Sequence, residues 1–236
     1  MQRWLALALI AVATAFCTGF RPATLVDSDF PRRPLTPHQI RLMRQAPPPE
    51  LSAAASLLAD VATRRVLYAR NENERRAVGS LVKIVTAMVA LERAPLDKDL
   101  RVHQDDMVVY SAAALQNGEL LSLHEYLYFL LIPSDNRAAV TIARGLGKET
   151  STFVGWMNDY VKRLGLTDTH FANSSGLDHR NAYSTAHDMA IIALEAMKNP
   201  VFADIVRRPE IAIAARRLDS TNKLLSVYPG MIGVKT

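Results

Sequence analysis

The sequence holds a single cysteine, Cys17, close to its N-terminus. Beyond that point the chain can form no disulfide, offers no thiolate nucleophile and cannot hold a Cys-ligated zinc. Proline is scarce outside one stretch: seven of the twelve prolines lie between residues 21 and 50, which end in "APPPE". Charge of one sign is lacking as well. The formal net charge is +5, but residues 1–50 hold six Lys/Arg against three Asp/Glu (+3), and residues 51–236 hold twenty-two against twenty (+2). The basic excess belongs mostly to the N-terminal stretch, which gives no support to nucleic acid as a partner of the globular part. No internal repeat is present. The spacing H-E-x-x-H is absent, and His170, His179 and His187 read as polar loop residues rather than metal ligands.

No apolar run is long enough to span a bilayer comfortably. The longest, Trp4 to Phe16, follows the positive Arg3 and is thirteen residues long, which suits a secretory signal peptide over residues 1–19. Left uncleaved, this leader would associate the chain with a membrane. Either way the remainder is exported. Cys17 follows Phe16 where lipid attachment wants a small residue, which argues against a lipoprotein. Residues 20–50 carry no apolar periodicity and read as an extended, partly polyproline-II linker.

What is present is a core. Apolar residues make up 49% of the chain, enough for one sizeable domain over residues 51–236. Two short apolar runs, Ala54–Val61 and Arg65–Ala69, flank "ATRR" and predict a β-hairpin. Leu81 to Leu91 is apolar on nearly every face, the pattern of a helix buried all round. "SLHE" at 122–125 is a capping box opening a helix that Pro133 ends. "SDNRAAVTIARGLG" predicts a helix stopping at Gly145–Gly147, and Phe153 to Leu164 another, closed by Gly165. "DTHFANSSGLD" reads as a polar loop, and "STAHDMAIIALEAMKN" as a helix with Thr185 and Asp188 in capping-box spacing. "GMIGVKT" predicts a last strand. Strands, then helices, then a strand indicate an α+β fold.

Lys83 breaks the apolar pattern of its helix, and Ser80 precedes it by one turn on the same face. A serine hydroxyl is a weak nucleophile until a base takes its proton, and a desolvated lysine can be that base. The spacing alone is not specific. S-x-x-K arises by chance about once in a chain of this size, and "STNK" at Ser220–Lys223 repeats it among polar residues that read as a solvated turn. Lys83 could equally snorkel to the surface. Ser134 and Asn136 stand two apart at an interhelical break, where extended geometry would aim a hydroxyl and an amide the same way. Each would also serve as a helix cap. Lys235 and Thr236, at the end of "GVKT", could hold a carboxylate. A chain that binds a ligand without catalysis would need none of this set.

The ordered set S-x-x-K, S-D-N and K-T resembles the S-x-x-K, S-D-N and K-T-G triplet of penicillin-binding proteins and class A β-lactamases. "VGSLVKIVTAMVALE", "YLYFLLIPSDNRAAVTIARGLG", "GLTDTHFANSSGLD", "YSTAHDMA" and "VYPGMIGVKT" resemble, in order, the blocks of the serine D-Ala-D-Ala carboxypeptidases, the low-molecular-mass penicillin-binding proteins. The resemblance implies an antiparallel sheet flanked by helices plus a helical lobe. It implies Ser80 as the acylated nucleophile, Lys83 as its base, and Ser134 as proton relay to the leaving D-alanine. Asn136 would bind the substrate amide, and Lys235 and Thr236 the terminal carboxylate. The implied partners are peptidoglycan stem peptides ending in D-Ala-D-Ala, with β-lactams as covalent inhibitors. No cofactor is implied, and action is in the periplasm or at the outer face of the membrane. The family pattern continues past a Lys-Thr-Gly motif into further strands, so the expectation is a catalytic domain that is C-terminally incomplete. Three departures stand out. Gly79 replaces a usual alanine, and Asp135 and Arg137 stand where many carboxypeptidases read Gly and Asp. Endopeptidase action on crosslinks is an alternative. A class A-like β-lactamase ranks second, because no E-x-x-L-N pentapeptide lies between Asn136 and Lys235.

Overall fold

A computed structural model describes Pro37, His38, Arg41 and residues 50–235. The leader, Cys17, nearly all of the proline-rich stretch and Thr236 lie outside the described residues.

The fold is α+β. The predicted hairpin forms from β1 (Ser56–Ala59) and β2 (Val66–Arg70), antiparallel with a bulge between Leu58 and Ala59. Asp60 closes its turn, accepting the Thr63 amide on its carboxylate at 2.8 Å. A 3-10 turn, Gly79–Leu81, runs directly into α1 (Val82–Arg93). Every residue of α1 from Val82 to Ala90 is buried, as its all-round apolar pattern predicts. Helix α1 is central: it packs against α2 (Leu123–Leu131), α3 (Asn136–Gly147), α4 (Thr150–Arg163) and α5 (Ala186–Ala196). The capping box at Ser122 and Glu125 is present in both directions, fixing where α2 begins. Thr185 caps α5 by accepting the Asp188 amide.

The structure differs from the sequence reading in several places. Instead of one sheet, the strands among the described residues form three separate antiparallel pairs. The second is β3 (Asp99–Arg101) with β4 (Leu120–Ser122), and the third β5 (Glu210–Ile213) with β6 (Arg216–Asp219). Between α5 and β5, Pro200 opens α6 (Pro200–Val206) under an Asn199 cap, because proline at a first helical position sacrifices no hydrogen bond. After β6 comes the short α7 (Leu224–Val227). The expected last strand is not formed: residues 231–235 pair with no strand among the described residues. No helix among the described residues is long and apolar enough to cross a membrane.

Candidate active site

Ser80 lies in the 3-10 turn before α1 rather than in the helix proper. Gly79, just before it, takes φ of +52°, a left-handed conformation that suits glycine and accounts for the departure at this position. From the first turn of α1, the fully buried Lys83 reaches back so that Nζ lies 2.9 Å from Ser80 Oγ. The same Nζ lies 2.7 Å from Asn136 Oδ1 and 2.6 Å from the Ser175 carbonyl oxygen.

These three contacts define what Lys83 can do. The Asn136 and Ser175 oxygens only accept hydrogen bonds. A neutral amine has two N–H donors and one lone pair. With both donors engaged by those oxygens, the lone pair is left for the Ser80 hydroxyl, which can donate to it. The geometry therefore accommodates deprotonated lysine as an acceptor of the serine proton. Burial pushes the Lys83 ammonium down to about 8, against the negative charge of Asp135, which raises it.

The loop between α4 and α5 supplies the Ser175 carbonyl. Asn173 folds it, accepting the amides of Ser175 at 3.1 Å and Gly176 at 2.7 Å and donating to the Leu177 carbonyl at 2.8 Å. Thr86, one turn after Lys83, donates to the Ser174 carbonyl at 2.7 Å and ties the loop to α1 a second time. Gly176, at φ of +85°, passes directly against the backbone of Gly79.

Ser134 and Asn136 bracket the start of α3. The expected extended geometry is not found. Ser134 is left-handed, at φ of 62°, Asp135 is the N-cap, and Asn136 is the first helical residue. This sharp reversal, rather than strand alternation, turns Asn136 towards Lys83. The Ser134 hydroxyl oxygen is buried and makes no hydrogen bond with the described residues.

Lys235 is buried in the C-terminal segment, and its ammonium is pushed down to about 7, first by burial and then by the Lys83 charge. Lys83 and Lys235 thus belong to one electrostatic site. Thr236 lies outside the described residues. The second S-x-x-K match does not join the site through its lysine, since Lys223 is exposed. Its neighbour Asn222 was missed by the sequence reading. It is buried and donates from Nδ2 to the Gly233 carbonyl at 3.4 Å, while the Thr221 amide donates to the Ile132 carbonyl at 3.2 Å. Residues 221–222 thus bridge the chain just before Ser134 and the chain just before Lys235. The one sequence signal for this role is "STN" at 220–222, a Ser-x-Asn spacing that chance also produces. Among the described residues no three His, Cys, Asp or Glu side chains gather into a metal-holding group.

A family model described as D-alanyl-D-alanine carboxypeptidase, peptidase S11, matches residues 42–236. The D-alanyl-D-alanine carboxypeptidase DacF of Bacillus subtilis (strain 168) is 35% identical over 198 residues, covering 78% of this chain and 50% of its own length. The D-alanyl-D-alanine carboxypeptidase of Streptomyces sp. (strain K15) is 33% identical over 211 residues, covering 80% of this chain and 72% of its own. The crystal structure of the Streptomyces K15 DD-transpeptidase superimposes with a TM-score of 0.76 at 30% identity, over 81% of this chain and 82% of that one. The chain thus spans half the length of the Bacillus relative it matches.

Proposed function

Because this chain belongs to the D-alanyl-D-alanine carboxypeptidase family of serine peptidases, we propose that it removes the terminal D-alanine from peptidoglycan stem peptides through an acyl-enzyme on Ser80. The observation that carries this reading is the threefold coordination of Lys83 Nζ by Ser80 Oγ, Asn136 Oδ1 and the Ser175 carbonyl. Neutral Lys83 takes the Ser80 proton as Oγ attacks the carbonyl of the penultimate D-alanine. The Ser80 backbone N–H offers one donor to the oxyanion that forms. Asn136, with Oδ1 turned to Lys83, presents its amide hydrogens to the substrate backbone. The Ser134 hydroxyl passes the proton to the leaving D-alanine nitrogen as the peptide bond breaks. Lys235, with Thr236, holds the terminal carboxylate. Water then hydrolyses the Ser80 ester.

β-Lactams, which present a strained amide beside a carboxylate, acylate the same serine and act as covalent inhibitors. Peptidoglycan as substrate implies action outside the cytoplasm. A signal peptide over residues 1–19 and a linker over residues 20–50 would deliver the catalytic domain there, with membrane association if the leader is retained.

The test is labelling with fluorescent penicillin, together with D-alanine release from a pentapeptide ending in D-Ala-D-Ala and from a crosslinked dimer. Ser80→Ala should abolish labelling and release while thermal melting stays cooperative. An adduct on Ser134 or Ser220 would overturn the assignment, and cleavage of the dimer alone would make the enzyme an endopeptidase.

A further inference from the structure

Asp135 sits between the two residues just assigned roles, and its carboxylate is fully buried. One oxygen accepts the Ala138 amide at 2.8 Å, capping α3. Capping alone does not account for a buried charge, because Asn or Ser caps about as well and taking an ion from water carries a desolvation penalty that a cap does not need. The other oxygen accepts Ser111 Oγ at 2.6 Å and the Ala113 amide at 2.8 Å, 24 and 22 residues upstream. Ser111 Oγ also accepts the Leu115 amide at 3.0 Å, so the carboxylate organises a whole turn. Arg137 grips the same turn, donating to the Leu115 carbonyl and, at 2.9 Å, to the Val109 carbonyl. An anion and a cation two positions apart thus clasp residues 109–115, and Asn136 lies between them.

On the other side of Asp135, Ser134 holds a left-handed conformation, which is strained for a non-glycine residue and persists only where its surroundings over-determine it. The Asp135 amide donates to the Phe129 carbonyl at 3.0 Å, so backbone and side chain of Asp135 together pin the reversal.

We propose that Asp135 is a positioning residue of the reaction: its carboxylate, anchored on Ser111 and Ala113, holds the Ser134–Asn136 reversal in register with Lys83. This rests on the functional reading above. It assigns to a departure from the family pattern the task of aiming the relay hydroxyl and the substrate-binding amide. Asp135 acts by charge as well. The charged groups coupled to the Lys83 ammonium are Asp135, from the head of α3, and Lys235, from the C-terminal segment. Its other contacts, from the 3-10 turn, α3 and the α4–α5 loop, are the neutral Ser80, Asn136 and Ser175 carbonyl. Asp135 favours charged Lys83, so removing its charge makes Lys83 easier to deprotonate.

The experiment measures the rate of acylation by fluorescent penicillin from pH 6 to 10, with thermal melting, for the full chain and two variants. Asp135→Asn should slow acylation at its optimum by about tenfold or more and move the acid limb of the profile to lower pH. Ser111→Ala removes the anchor and leaves the charge, so it should slow acylation without moving the limb. Should Asp135→Asn fail to melt cooperatively, Ser111→Ala carries the test through its rate. A folded Asp135→Asn with unchanged rate, one slowed only in proportion to the fraction unfolded with its limb unmoved, or a Ser111→Ala that acylates like the parent, overturns the proposal. A parent chain that penicillin does not label overturns the functional reading and this one together. A labelled parent with an indifferent Asp135→Asn overturns this one alone.

Discussion

Gly176 and Gly79 meet backbone to backbone: a Cβ on Gly176 would lie 1.9 Å from the Gly79 carbonyl oxygen and 3.0 Å from the Ser80 amide nitrogen. The loop that supplies an acceptor to Lys83 therefore also presses on the turn that carries Ser80. Gly176→Ala should disrupt both, since the obstacle is backbone and φ of +85° is unfavourable for alanine. We expect a loss of at least about 2 kcal/mol in stability and a fall in penicillin labelling beyond the unfolded fraction. Melting and labelling on the same sample check this.

Lys83→Arg should be nearly as inactive as Lys83→Ala. The guanidinium stays protonated at any working pH, and the larger fork must enter a space where lysine is already fully buried. Acylation by penicillin is the measurement. A rate within about tenfold of the parent would show that Lys83 serves as a cation, not a base.

On the proposed mechanism turnover requires Lys83 neutral and Lys235 charged, and burial lowers these groups to about 8 and about 7. Either proton is easier to lose while the other ammonium is charged, so the pair titrates together. We expect a bell-shaped profile of kcat/KM for D-alanine release, with both limbs between about pH 7 and 8. Lys235→Gln should remove the alkaline limb and raise KM. A profile flat from about pH 6 to 9 would contradict the pairing.

The same two lysines make stability depend on pH. Both are depressed below their unfolded value of about 10.4, so between the folded and unfolded values the unfolded chain binds more protons and stability rises with pH. Their contribution is complete above the unfolded value, declines as pH falls below it, and is fully lost once pH has fallen through about 8 and then about 7. The melting midpoint should therefore climb between about pH 7 and 9.5, and the climb should shrink in Lys235→Gln.

Asn222→Ala should raise KM for the pentapeptide several-fold with a smaller effect on kcat. It frees the Gly233 carbonyl and loosens the segment bearing Lys235, while leaving Ser80 and Lys83 untouched. Equal changes in both constants would place Asn222 with the fold in general rather than with the carboxylate end.

What was legible in the sequence was local. The hairpin, the Ser122–Glu125 box and the all-apolar helix around Lys83 depend on neighbours a few positions apart, and each forms where the pattern indicates. The pairing of Ser80 with Lys83 is a one-turn contact and was readable for the same reason. The Ser175 carbonyl was not readable, since every residue carries a carbonyl and only the tertiary fold selects one. Neither was the left-handed turn at Ser134, which long-range bonds from Asp135 to Ser111 and Ala113 hold in place. Asn222 resembled chance because its partner, Gly233, lies across a loop. The short strands "EIAI" and "RRLD" carry too little alternation to stand out from their charged surroundings.

The three partners of Lys83 Nζ lie 3, 53 and 92 residues along the chain from it. Only the first can be met by a local fragment. Without the α3 head and the α4–α5 loop in place, Lys83 would lie in water as an ordinary protonated ammonium and Ser80 would be an ordinary alcohol. On the proposed mechanism, reactivity therefore depends on completion of the fold. An unfolded chain would carry a serine without its base, and the nucleophile would arise only together with the complete fold.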